Sequence, residues 1–442
     1  MNLKTPPKIV LLLFVLTTLA FSQEKLPIKL SLNQAIELAY KNNENILIAG
    51  NDVQTARAQI REAWADALPE VRFNGLYTRN FKQQVFFFPD PATGKQRAFR
   101  IGSRNSYLLS LTVEQPLFQS GKVTGGIKAA NLFKKLSNQR FQAVQADVVL
   151  AVKKAYYTVQ LDEQLLAIDQ QSLDQRLAHL INSRKLFLQG QVAELDTLRA
   201  WVDYTNLQPG VYRMESNLRI AENQLKQIVG LDLEQEITLA GALDYDPTDG
   251  ISIADVYQEA FQKRPELKQL RFQAAILKHN IGITRADRLP KLFFSASYDN
   301  IAQSDQFDFG SGFNSSISGT LRLEVPIFTG LRTLAKVQQA KLSYKNAEYQ
   351  IQMFEDNLKI ELKTIYLNIK EAEKRVEAQQ HAINQSERAF RIAQRRYNEG
   401  VGTQLELGDA LLALNVSKTN YARAVYDHRI ALAELEKAIG RP

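Results

Sequence analysis

The sequence contains no cysteine, which excludes disulfides, thiolate metal sites and a lipid-modified N-terminal cysteine. Histidine is scarce: His179, His279, His381 and His428 stand singly, none at a metal-binding spacing from another. Only three methionines are present, so composition gives a metal-carrying lumen no support. No Gly-x-Gly-x-x-Gly, phosphate loop or nucleophile elbow occurs. The chain is therefore expected to be no enzyme and to hold no cofactor and no metal. The formal charge of +8 falls to +6 once Lys4 and Lys8 leave with an N-terminal signal, which is modest for 442 residues. Lys95, Arg97, Arg100 and Arg104 form the one basic cluster, and it reads as a solvated outer loop rather than a nucleic-acid surface.

What is present begins with that signal. Lys4 and Lys8 precede an apolar run from Ile9 to Ala20, and Ala20 and Ser22 are small residues placed for cleavage after Ser22. Residues 1–22 are expected to be a secretory signal peptide, because the run is too short to span a bilayer.

The rest of the chain repeats itself. At an offset of 221, Ser31 pairs with Ser252, Asp66 with Asp287, Pro69 with Pro290 and Tyr77 with Tyr298. Further on the offset is 210, pairing Glu114 with Glu324, Pro116 with Pro326, Gly190 with Gly400 and Gly230 with Gly440. The 11 residues lost between the two offsets fall in Phe81 to Arg104, an expected surface loop.

Each half reads as helix, hairpin, very long helix, turn, helix. Ser31 and Ser252 are the expected N-caps of first helices that run to Leu68 and Leu289, where a proline disfavours further helix. Val71, Phe73, Gly75 and Tyr77 then share one face, and on the return Tyr107, Leu109, Leu111 and Val113 stand against Ser106, Ser110, Thr112 and Glu114. The second half matches with Leu292, Phe294, Ala296 and Tyr298, then Ile317, Leu321, Leu323 and Val325. Each run approaches the ~9–11 residues of a tilted membrane strand. Soluble half-buried strands would alternate alike, but four strands cannot close a barrel when about eight is the minimum for one chain. From Lys122 to Phe187 no proline occurs and no glycine follows Gly126, while Phe141, Val144, Val148, Val152, Val159, Leu166 and Leu173 recur at coiled-coil spacings. Arg332 to Tyr397 matches.

The organisation expected is a first repeat over 23–230 with its hairpin at 70–115 and turn at 190, and a linker or equatorial segment over 231–250. A second repeat over 251–442 has its hairpin at 291–325 and turn at 400. The strand–helix transitions fall at Pro69, Pro116, Pro290 and Pro326.

These residues resemble the TolC-like outer-membrane efflux and secretion channel family over essentially the whole mature chain. The resemblance rests on the duplicated Leu-Pro stops, the Glu-x-Pro-[Leu/Ile]-Phe exits at 114–118 and 324–328, and the two tips around Gly190 and Gly400. It implies a mainly α chain with membrane β. Each chain of a homotrimer would give four strands to one twelve-stranded outer-membrane barrel, continued as a coiled-coil periplasmic tunnel. It also implies a Gram-negative outer membrane with its lipid, and a periplasmic adaptor (membrane fusion) protein at tips marked by Gly190, Gly400 and Gly402. An inner-membrane pump of RND or ABC type would complete the system.

Efflux, with its cargo of drug, metal or other small molecule left open, is the expected role, type I protein secretion the alternative, and a secreted coiled-coil scaffold without a pore the rival from another class. The family's gate places a tyrosine three residues before the second tip glycine, an arginine two after it, and acids six and nine after it. Tyr397, Glu406 and Asp409 match, Asp196 matches in the first tip, and Gly402 stands where the arginine would be. Two readings of the acids remain: an anionic ring around a pore, or local pairing with Arg199, Arg395 and Arg396.

Overall fold

The structure is a computed structural model describing residues 28–247, 250–309 and 312–441. The expected signal peptide, 1–22, lies outside them. In chain order the elements are β1 (Ile28–Leu30), α1 (Leu32–Asn42), α2 (Glu44–Ala65), β2 (Glu70–Arg79), β3 (Gln84–Pro89), β4 (Gln96–Ile101), β5 (Asn105–Phe118), α3 (Lys122–Leu188) and α4 (Glu194–Val229). There follow β6 (Ile237–Leu239), α5 (Ile253–Lys263), α6 (Pro265–Ala286), β7 (Lys291–Ser304), β8 (Asn314–Glu324), α7 (Arg332–Asn398) and α8 (Gln404–Ala438). Both α3 and α7 have 67 residues, or about 100 Å at ~1.5 Å per residue. Among the described residues no helix is apolar enough to cross a membrane.

The single helix expected from Ser31 to Leu68 is in fact two. Asn43 closes α1 and caps α2, accepting from the Asn45 backbone N–H at 3.0 Å and donating to the carbonyl of Ile228 at 2.9 Å. Its short polar side chain competes with the helical backbone for partners. In the second half Pro265 at the start of α6 makes the same break by lacking an N–H. α2 stops at Ala65, and a tight turn carries the chain to Pro69.

Ser31 forms a reciprocal capping box with Gln34. Ser252 starts α5 without a side-chain cap.

α1 lies across α3 and α4, and α5 across α7 and α8, so the core sits at mid-body. One cluster gathers Ala35, Ala39, Val152, Val159, Leu225 and Val229, the other Val256, Ala260, Leu358, Leu362, Ile369 and Leu435. Burying each such Leu contributes about 2 kcal/mol of transfer free energy. β1 and β6 pair in parallel, and the Tyr156 hydroxyl donates to the carbonyl of Ala240 beside them at 2.7 Å. Arg429 binds the carbonyl of Asp244 through two nitrogens at 3.0 and 2.8 Å, which straps the linker to α8.

Gly230 and Gly440 end the two return helices with φ of +70° and +76°. A Cβ at Gly230 would lie 2.5 Å from the Cβ of Asn42, and one at Gly440 2.9 Å from the backbone of Lys263. Each glycine lets a long hairpin close onto a short helix. Gly230→Ala or Gly440→Ala should cost about 1–2 kcal/mol for the left-handed backbone and about 1–3 for the overlap. Thermal unfolding in detergent would read this as a lowered Tm, whereas Gly126→Ala, which meets no atom within 4 Å, should not lower it.

Candidate functional site

The strands form a sheet ordered β2-β5-β7-β8, antiparallel throughout, with β2 and β8 as its open edges. Register puts Phe73, Leu111, Tyr298 and Ile317 in one row across all four strands, and Val71, Val113, Ala296 and Gly319 in the next on that face. The opposite face carries Asn74, Ser110, Asp299 and Ser316 in one row and Arg72, Thr112, Ser297 and Ser318 in another. One face suits hydrocarbon and the other water.

The wet face is a connected polar surface. Ser297 donates to Asp299 at 2.9 Å and lies 2.9 Å from the hydroxyl of Ser318, and Ser110 also donates to Asp299. Nearer the helices, Glu114 holds Arg72 from one edge strand and Arg322 from the other, both at 3.1 Å. Arg322 also lies 4.9 Å from the ring centre of Phe293. Glu114 is thus a tie across the sheet, a role that the duplication of its motif did not reveal.

Pro69 and Pro290 lie just before β2 and β7, and Pro326 just after β8. Pro116 departs from expectation, because β5 continues through it to Phe118. The ladder shifts register between Pro116 and Phe118, so the sheet absorbs the missing N–H at an irregularity.

At the other end of the molecule, Gly190 and Gly400 turn the long helices with φ of +72° and +75°. Gln191 N–H reaches the Leu186 carbonyl at 2.9 Å, and Val401 N–H the Arg396 carbonyl at 3.0 Å, closing both turns alike. Thr403 then caps α8 through the Glu406 N–H at 3.2 Å, whereas Ala193 has no such side chain for α4.

A Cβ at Gly402 would stand 2.9 Å from the Cβ of Arg396 and 3.0 Å from the Tyr397 nitrogen. The site of the family's arginine is therefore filled by backbone. Arg396 acts across this turn instead, donating to the Val401 carbonyl at 3.3 Å and lying 3.7 Å from Glu406.

Of the tip acids, Glu406 has this local partner, while Asp409 is exposed and forms no ion pair among the described residues. Asp196 belongs to a backbone joint: with the Gln404 amide oriented to suit both contacts, its nitrogen donates to the Asp196 carbonyl at 3.2 Å and its oxygen accepts from Ala200 N–H at 3.3 Å. The tyrosine meets none of these acids. Tyr397 is buried, its hydroxyl 3.0 Å from Ser183 Oγ and its ring edge-on to His179 at 4.9 Å.

Behind this contact a cavity of about 360 Å³ opens between the ends of α3, α4, α7 and α8, lined in part by Gln175, His179, Asp203, Gln394 and Asn398. It is polar and roomy enough for several waters. Ser183 carries no motif and His179 reads in the sequence only as one of four isolated histidines, though the two sit four residues apart on one helix face. Burial lowers the pKa of His179, Arg176 adds to the lowering, and Asp203 and Asp196 oppose it.

A sequence profile described as outer membrane efflux protein matches residues 35–231 and 256–441. The chain is 23% identical to the alkaline protease secretion protein AprF of Pseudomonas aeruginosa over 337 residues, 75% of this chain and 69% of that one. It is 23% identical to the probable efflux pump outer membrane protein TtgC of Pseudomonas putida, over 86% of this chain and 76% of that one. A crystal structure of a membrane protein from Pseudomonas aeruginosa superposes with a TM-score of 0.78 at 21% identity, covering 94% of this chain and 91% of that one.

His179 sets a pH dependence at the tip. The ordered state binds fewer protons than the opened one, so the contact is at full strength above pH 6.5 and weakens as pH falls from there toward the lowered pKa. Hydrogen-exchange protection at the ends of α3 and α7, corrected for the intrinsic pH dependence of exchange, should be weaker at pH 5.5 than at pH 7.5, and His179→Gln should flatten that difference. Tyr397→Phe should speed exchange at both pH values by about 1 kcal/mol of lost hydrogen bonding.

Proposed function

The chain belongs to the outer membrane efflux protein family, whose members are outer-membrane channels and not enzymes, and from that premise we propose that it is the exit duct of a tripartite efflux system. The open pair of edges β2 and β8 carries this reading. Three copies arranged head to tail would join β8 of one to β2 of the next and close a twelve-stranded barrel. The polar face of the sheet would then line the pore. In the same reading 23–230 and 251–442 are two repeats of one unit joined by 231–250, with the signal peptide removed.

A second apolar surface supports the ring. Leu342, Tyr349, Met353, Ile360 and Leu367 recur along α7 at sevens and a four and are exposed in the single chain. They suit the helices of a neighbouring copy, which would extend the barrel as a tunnel into the periplasm. Cargo would pass without covalent chemistry, the energy coming from an inner-membrane pump through a periplasmic adaptor. The tips, turned at Gly190, Gly400 and Gly402, expose Leu188, Val401 and Leu405 as an apolar rim for that adaptor. Tyr397 would brace each tip from within, and Asp196 would hold the first tip to the second through Gln404. Glu406 would be held by Arg396, leaving Asp409, repeated in three copies, as the anionic ring at the mouth. The relative named for alkaline protease secretion favours a second reading, type I protein export through the same duct.

The detergent-extracted protein should have the mass of a trimer and conduct in a planar bilayer with a preference for cations. Asp409→Asn should reduce that preference more than Glu406→Gln; equal effects would return Glu406 to the ring, and no effect would remove both. Leu188→Asp with Val401→Asp should abolish pump-dependent drug resistance while leaving the trimer and its conductance unchanged. Protein export lost with resistance intact would select the secretion reading.

A further inference from the structure

The loop expected between Phe81 and Arg104 is largely a second antiparallel ribbon, β3 against β4, standing beyond the ends of β2 and β5 on the side away from the long helices. Its register sets Phe86 opposite Phe99 and Phe88 opposite Arg97 on one face, and Val85 opposite Arg100 and Phe87 opposite Ala98 on the other. Both faces are open: Phe86, Phe87, Phe88 and Phe99 are 45%, 62%, 49% and 46% exposed. A two-stranded ribbon is marginal by itself in water, and clustered exposed phenyl rings on both faces mark a surface that something else covers.

Charge narrows what that is. Between Asn80 and Arg104 stand Lys82, Lys95, Arg97, Arg100 and Arg104 against a single acid, Asp90, a net +4. Asp90 accepts from the backbone N–H of Ala92 at 3.0 Å within its own turn. In the adjoining hairpin Asp305 accepts from Gln83 Nε2 and the Arg104 backbone N–H at 3.1 and 3.0 Å. None of the five cations has an acid within ion-pair distance among the described residues. Arg97 lies 6.0 Å from the ring centre of Phe99, so a guanidinium and a phenyl ring are presented together.

We propose that the β3–β4 ribbon binds phosphate-bearing lipid of the outer leaflet. Its phenyl rings lie against acyl chains, and Lys95, Arg97 and Arg100 take the phosphates. The proposal rests on the channel reading, which places this end of the sheet at the outer face of the membrane. Guanidinium forks match phosphate oxygens, and each cation near an anionic lipid surface adds about fivefold in affinity. The other cover available, the ribbons of neighbouring copies meeting over the pore, would bring three charges of +4 together and is opposed by their repulsion.

The test is native mass spectrometry of the trimer in neutral detergent, titrated with bisphosphorylated lipid A or its dephosphorylated counterpart. Lys95→Gln/Arg97→Gln/Arg100→Gln should weaken uptake of the phosphorylated lipid on the order of a hundredfold, and leave the dephosphorylated lipid and the trimer mass unchanged. Lys336→Gln/Lys341→Gln/Lys345→Gln on α7 is the charge-matched control and should change nothing. Equal uptake of both lipids, an unchanged affinity in the ribbon variant, or an equal loss in the α7 control would overturn the proposal. A ribbon variant that alters conductance without altering lipid uptake would assign the ribbon to the pore mouth and overturn it too. A soluble monomer would overturn the channel reading, and this proposal with it.

Discussion

Hydrocarbon offers the backbone no hydrogen-bond partner, so every strand that enters it needs a neighbour on both sides. This chain supplies four strands and leaves β2 and β8 each with one side open. That shortfall is what makes other copies necessary, and it shapes the rest. The two polypeptide halves must deliver two hairpins side by side, in register, with one dry face and one wet one. The helices that follow must leave in the same direction, and they carry their own uncovered apolar stripe at Leu342, Tyr349, Ile360 and Leu367.

The halves reach the same geometry with different local chemistry. Asn43 breaks the first helix by hydrogen bonding, Pro265 the second by withholding an N–H. Ser31 has a reciprocal partner and Ser252 none. Positive-φ glycines are shared without substitution of means: Gly190 and Gly400 at the tips, and Gly230 and Gly440 where a left-handed backbone meets a neighbouring helix end and no other residue fits. What the two halves share is therefore a set of positions and turns.

The tip turn is tightly packed: Gly402 lies against the backbone of α7, and Arg396, six residues earlier, spans the loop to Glu406. The exposed pair is worth ~0–1 kcal/mol. The firmer join between the hairpins is the buried contact of Tyr397 with Ser183 and His179.

Much of this was legible in the residues. Period-two alternation named the four membrane strands, coiled-coil spacing named the long helices, and Leu-Pro and glycine named their ends, because each signal is written in neighbours along the chain. The β3–β4 ribbon is not legible as strands, because its rings face both ways and show no single dry face. The place of Pro116 inside β5 is not legible either, because a register irregularity is a property of two strands together. The partners of Glu114, Glu406 and Tyr397 were beyond reach for the same reason. By itself the sequence determined the long helices, the four strands of the sheet and which face of those strands is dry, since those follow from local steric preference and periodicity. Which charge meets which, and which edge stays open, only the tertiary structure decided, since Arg322 meets Glu114 and Ser183 meets Tyr397 across more than 200 residues of chain.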